Sequence, residues 1–131
     1  MVKRNKTKKK SNIDYVVAIP TYKRYDEITT KTLPTLKRGK VDKKRIYVFV
    51  ANKTEEKLYR EKMDPDTYHK IVVGKKGLVP QRRYISQYFP EGTKIVSMDD
   101  DVQNMIVLKR DDSLKKIANL DSFFKRAFNT L

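Results

Sequence analysis

Three adjacent carboxylates, Asp99-Asp100-Asp101, close a short apolar run, Ile95-Val96-Ser97-Met98. Like charges side by side repel one another and tend to raise their own pKa values. A bound divalent cation removes that conflict. In an extended backbone Asp99 and Asp101 face one side and Asp100 the other. The D-x-D pair then suits a hard metal ion that also takes oxygens from a nucleotide diphosphate. Such an ion would stabilise charge on a leaving diphosphate. The plain alternative is an acidic turn that caps the next element.

Two basic segments accompany the carboxylates. Pro20-Thr21-Tyr22-Lys23-Arg24 follows an apolar run and offers groups for a base, a ribose or a phosphate. Lys75-Lys76-Gly77-Leu78-Val79-Pro80-Gln81-Arg82-Arg83 is a basic loop that leads into a helix start, where free N–H groups and the helix dipole favour phosphate. Arg82 and Arg83 point about 100° apart on a helix, so at most one faces a common ligand. Neither G-x-G-x-x-G nor G-x-x-x-x-G-K-[ST] occurs, which removes the dinucleotide fingerprint and the P-loop. The single histidine, His69, reads as a surface or strand-edge residue. The absence of cysteine excludes disulfides, thiolate metal sites and thiol nucleophiles.

The elements that must position these groups follow from the apolar pattern. Tyr15–Ile19, Arg45–Ala51, Lys70–Val73 and Lys94–Met98 are near-continuous apolar runs, as strands buried on both faces require. Helices are predicted from Asp26, as cap, to about Arg38; from Thr54, as cap, to about Met63; and from about Val79 to Phe89. Pro34 lies inside the first and threatens its continuity. A less regular stretch follows, with a helix after Asp121. The order β-α-β-α-β-α-β specifies an α/β fold with a parallel sheet, and ligands of such sheets sit beyond the carboxyl ends of the strands.

The chain has 131 residues and a formal net charge of +15. Residues 1–12 carry six Lys or Arg and no acid, and read as a disordered basic tail before a single domain over 13–131. The charge favours anionic partners such as nucleic acid, nucleotide phosphates or acidic membranes. No apolar run is long enough to span a membrane or to act as a signal peptide, which points to an intracellular setting without membrane contact.

VVAIPTY, KTLPTLKRG, RIYVFVAN, KIVVGKKGLVPQRRYI and YFPEGTKIVSMDDDV occur in an order that resembles GT-A glycosyltransferases, and most specifically the TET-associated glycosyltransferases of phages and large viruses. The resemblance covers about residues 15–105. It implies a Rossmann-like three-layer sandwich, of which this chain would be the N-terminal, donor-binding half. It also implies transfer of a sugar from a nucleotide-sugar donor to hydroxymethylated pyrimidines in DNA. Carried over by position, Asp99 and Asp101 correspond to the pair that binds Mn²⁺ or Mg²⁺. Pro20, Thr21, Tyr22, Asn52, Gln81, Arg82, Asp99 and Asp100 correspond to donor-contacting positions. The family often has Gln-Arg-Asn where Gln81-Arg82-Arg83 stands, and many relatives have an acid where Asn52 stands. The resemblance assigns no catalytic base: the downstream carboxylates are Asp111, Asp112 and Asp121. Two other readings fit the same residues: an inactive relative that binds DNA or protein through its basic surface, and a metal-dependent nuclease or nucleotidyltransferase.

Overall fold

Alternation within each strand sends side chains to two separate cores. Tyr15, Val17 and Ile19 join Ile46, Val48, Val50 and Ile71 on one face of a sheet, while Val16 and Ala18 join Phe49 and Val72 on the other. The computed structural model describes residues 15–103, 106–108, 114–116 and 119–129. The basic tail, Asp111 and Asp112 lie outside the described residues. Strands β1 (Val16–Pro20), β2 (Ile46–Val50), β3 (Lys70–Val73) and β4 (Ile95–Ser97) form an all-parallel sheet in the order β3-β2-β1-β4.

The first helix, α1, runs continuously through Tyr25–Glu27, Ile28–Thr32 and Leu33–Arg38. Its middle part is wound as π-helix, with the Leu33 N–H donating to the Ile28 carbonyl. That wider turn lies just before Pro34, which has no N–H to give and whose ring would crowd the preceding turn of an α-helix. The proline therefore changes the winding without ending the helix. Asp26 is not the cap. The cap position is Arg24, two residues earlier, because the Arg24 N–H is held by the Tyr59 hydroxyl at 2.9 Å and Tyr25 packs edge-on against the Tyr59 ring.

Helix α2 (Lys53–Lys62) is capped by Asn52, whose side-chain oxygen accepts the Glu55 N–H at 2.9 Å. Asn52 thus displaces Thr54 as the cap: its extended backbone puts its carboxamide under the first turn. Helix α3 spans Leu78–Tyr88, close to the predicted limits. A short antiparallel pair, β5 (Ile106–Leu108) and β6 (Leu114–Lys116), lies in the stretch that sequence left irregular, and α4 (Leu120–Asn129) follows.

Helices α1, α2 and α4 supply Ile28, Leu33, Leu36, Tyr59, Leu120 and Phe124 to the first core, Met63 joins them just past the end of α2, and α3 supplies Ile85 to the second. The result is the expected three-layer, Rossmann-like α/β sandwich.

At the amino edge of the sheet, Asp121 anchors α4. The Tyr15 hydroxyl donates to it at 2.6 Å, Lys125 lies at 3.3 Å and Arg45 at 3.7 Å. Tyr15 and Arg45 immediately precede β1 and β2, so Asp121 sits at the end of the sheet away from the carboxyl termini of the strands. Gly39 packs so closely on Leu120 that a Cβ there would lie 2.6 Å from it. Burial by itself would raise the Asp121 pKa, but the hydrogen bonds and the cations outweigh it and hold the carboxyl below its ordinary value. A depressed folded-state pKa gives stability that is present above the unfolded value and lost as pH falls through the folded one. Asp121→Asn should therefore be less stable than wild type at neutral pH, and the two should converge in acid. Urea unfolding across pH measures this; a constant gap from pH 7 into acid would count against the anchoring role.

Candidate functional site

The strand order reverses direction at β1. β1, β2 and β3 step outward one way, and the chain then crosses back over the sheet through α3 to place β4 on the other side of β1. Such a reversal leaves a crevice between the carboxyl ends of the two strands at which it occurs, because the loops that follow them diverge to opposite layers. A cavity of about 460 Å³ opens there. The loop after β1 contributes Pro20, Thr21, Tyr22 and Arg24; the loop after β4 contributes Asp99, Asp100 and Asp101. Lys75, Lys76, Gly77, Leu78 and Gln81 close it from the loop after β3 and the start of α3.

Asp100 is the inner member of the acidic run, only 7% exposed, while Asp99 and Asp101 lie at the surface. Burial raises the Asp100 pKa, and a hydrogen bond from Thr21 and the charge of Arg24 partly offset that. The Thr21 hydroxyl donates to Asp100 Oδ2 at 2.7 Å. Its one proton is thereby used, so the Tyr59 hydroxyl, 2.7 Å away, donates to Thr21 and accepts from the Arg24 N–H. Burial also pushes the Tyr59 pKa up, in keeping with a donating phenol. The chain turns at Asp100–Asp101 instead of staying extended, and the Arg24 guanidinium spans both residues, at 3.5 Å from Asp100 and 3.2 Å from Asp101.

Helices behind the cavity hold its three loops. The Thr32 hydroxyl, fully buried, donates to the Asp99 carbonyl at 2.7 Å and accepts the Val102 N–H at 2.9 Å. One turn on, the Thr35 hydroxyl lies 3.0 Å from the Val102 carbonyl and 2.7 Å from that of Gln103, which also accepts from Arg38 at 3.1 Å. Buried Glu55 accepts the Lys23 N–H at 2.7 Å and supports that residue at φ 55°, a left-handed backbone that costs a non-glycine residue about 1–2 kcal/mol. Gln81 takes the Lys75 N–H at 2.9 Å and donates to the Val50 carbonyl at 3.1 Å. A Cβ at Gly74 would collide with the Gln81 carboxamide and push it off the bonds it makes to the loop.

Most of the residues picked from sequence come together here: Pro20, Thr21, Tyr22, Gln81, Asp99, Asp100 and Asp101 all border the cavity. Within that set Asp100 and Gln81 are buried and already hydrogen-bonded to protein. Asn52 does not border the cavity, and its carboxamide caps α2. Arg82 faces a second cavity instead, and Arg83 is exposed. His69 is exposed at the start of β3, its ring edge-on to Tyr47, as expected. Arg24, in the segment that sequence singled out after β1, also borders the cavity, but its pairing with the acids was not foreseen, and sequence reasoning missed Thr32, Thr35, Glu55 and Tyr59. The signal was present: a Thr-x-x-Thr-x-x-Arg run recurs at helical spacing over residues 32–38, and Glu55 and Tyr59 stand four apart.

The sequence model of the TET-Associated Glycosyltransferase family matches residues 15–131, nearly the whole chain. The chain belongs to that family. Searches among curated proteins and among solved structures each return no significant match. Membership makes this a glycosyltransferase-family domain, and the match extends beyond the segments that carry the resemblance in sequence. Among the described residues no group of three or more His, Asp or Glu converges on a point that could hold a metal ion. Asp99 and Asp101 give this TET-associated glycosyltransferase two exposed carboxylates on the cavity. That set suits an oxygen-seeking cation that keeps waters and shares phosphate oxygens, and it does not suit one caged by protein alone.

Thr32→Val keeps the shape of the side chain and removes both of its bonds to the acidic loop. It should cost about 2 kcal/mol in urea unfolding, the order expected for a buried amide and carbonyl left unpaired. Thr30→Val, at an exposed site on the same helix, should change stability little. Equal effects of the two would contradict the role given to Thr32.

Proposed function

We propose that the cavity binds a nucleotide-sugar donor and that the enzyme transfers the sugar to a hydroxymethylated pyrimidine in DNA. The observation that carries this reading is the juxtaposition, at the β1/β4 reversal, of exposed Asp99 and Asp101 with Lys75 and Lys76 across one cavity. Carboxylates and ammonium groups facing one another suit a diphosphate whose charge is shared between a cation and lysines. Asp99 and Asp101 are the residues that would hold Mn²⁺ or Mg²⁺, which when bound neutralises charge on the leaving diphosphate. Tyr22, exposed at the mouth with the Lys76 ammonium 5.5 Å from its ring, offers a face to a nucleobase.

Support for a DNA acceptor comes from the net charge of +15 and from the exposed cations Lys75, Lys76, Arg82 and Arg83 at this end of the molecule. Among the described residues no helix is long and apolar enough to cross a membrane.

A second reading, an inactive module that binds through its basic surface, draws on Arg24. Its guanidinium already pairs with Asp100 and Asp101 without any metal. A two-metal nuclease would need a second carboxylate group, and the described residues offer no such assembly.

Thermal unfolding with a panel of nucleotide sugars, with and without Mn²⁺, separates the readings. A donor at a hundred times its Kd adds about 2.7 kcal/mol, enough to raise the midpoint by several degrees. The expected result is a rise that needs Mn²⁺ and disappears in Asp101→Asn. No rise with any donor, or a metal-independent rise retained in the variant, would reject the donor site. Binding of DNA that weakens steeply with salt, with no donor effect, would favour the basic module.

A further inference from the structure

A second cavity, about 720 Å³, lies between α3 and β4, beside the donor site. Arg82 and Ile85 face it from the helix, and Ile95 and Ser97, two apart on the strand, face it from the sheet. β4 is an edge strand of its sheet, so the slot is open along one side. It meets the first cavity at Asp99, which borders both.

We propose that this slot receives the acceptor base. The proposal rests on the DNA-glycosylating reading above and deepens it. Its chemistry matches a nucleobase more closely than a sugar or a peptide. Buried Ile85, with half-buried Ile95, offers apolar contact to the face of a flat ring. Ser97, exposed at the slot, offers a hydroxyl to its polar edge. Arg82, exposed at the rim with Arg83 beside it, supplies positive charge for the phosphates on either side of the base. The volume falls within the roughly 300–1,000 Å³ of small-molecule sites. A base stacked in a duplex cannot enter such a slot, so the acceptor would be a single strand or a base turned out of the helix. Asp99 then marks the place where donor sugar and acceptor hydroxymethyl group meet. This assigns Arg82 to acceptor binding, away from the donor-site role that the family resemblance implies.

The test uses the full chain and a fluorescent single-stranded oligonucleotide that carries one hydroxymethylcytosine. Ser97→Phe places an aromatic ring in the slot from the strand side, and Ser86→Trp, on the helix side, fills it independently. Each should weaken oligonucleotide binding by about tenfold, the order lost when one stacked base is given up. Each should leave the donor-induced thermal rise as in wild type. Arg82→Ala should lower the slope of log affinity against log salt by about 1. Wild-type affinity in both filled variants would overturn the assignment and leave the donor site standing. A donor response in wild type with no oligonucleotide binding would overturn the acceptor reading and this inference with it. If instead Ser97→Phe splits a dimer on size exclusion and oligonucleotide binding is unchanged, the slot is an interface between copies and the proposal fails.

Discussion

The carboxylate of Asp100 is nearly withdrawn from water, and the carboxyl edge of the sheet is organised around making that tolerable. A buried charge without partners costs several kcal/mol or gives up its ionisation. Here the partners form a directed chain: the Arg24 amide donates to Tyr59, Tyr59 to Thr21, and Thr21 to Asp100. Each donor is used once, and Tyr59 of α2 stands between two residues of the loop after β1. The chain therefore ties the loop after β1, the second turn of α2 and the loop after β4 into one unit. The Arg24 guanidinium completes it from the surface, where solvent weakens its contribution.

That unit explains how a sheet of four short strands presents two outer carboxylates at a fixed place. Asp99 and Asp101 are positioned less by their own contacts than by the residues that hold the backbone on either side of Asp100. Thr32 and Thr35 pin the chain from α1, and the π-wound turn before Pro34 leaves α1 unbroken behind the acidic loop. On the opposite wall, Gln81 binds the loop after β3 to the end of β2, which sets Lys75 and Lys76 across from the acids. The far edge of the sheet is fixed separately, through Tyr15, Arg45 and Asp121.

Much of this arrangement was legible in sequence. The four apolar runs revealed the strands: β1 and β2 are buried on nearly every side, which leaves little room for polar residues, whereas β4, at the edge, is only half-buried and leaves Ser97 exposed. The acidic triplet and the Pro-Thr-Tyr segment revealed the site because each directly follows such a run. The helix starts were less legible. Asp26 and Thr54 are good caps in isolation, but Tyr59 fixes the turn at Arg24 and Asn52 reaches the first turn of α2. The supporting residues were hidden for another reason. Thr32, Thr35, Glu55 and Tyr59 act through contacts across 32 to 70 residues of chain, and residue type alone does not declare a partner so distant. The short β5–β6 pair carries no strong apolar alternation and was read as irregular.

The proposed function depends on the outer acids after β4 holding a cation and phosphate at the β1/β4 reversal. The most direct measurement is the paramagnetic broadening of backbone amide NMR signals by Mn²⁺, in the presence of a nucleoside diphosphate sugar. The account predicts strong broadening centred on Asp99, Asp100 and Asp101 that extends to Thr21, Tyr22 and Lys76, and leaves the Asp121 end of the sheet untouched. Broadening centred away from the acidic loop, or spread evenly over the surface, would contradict it.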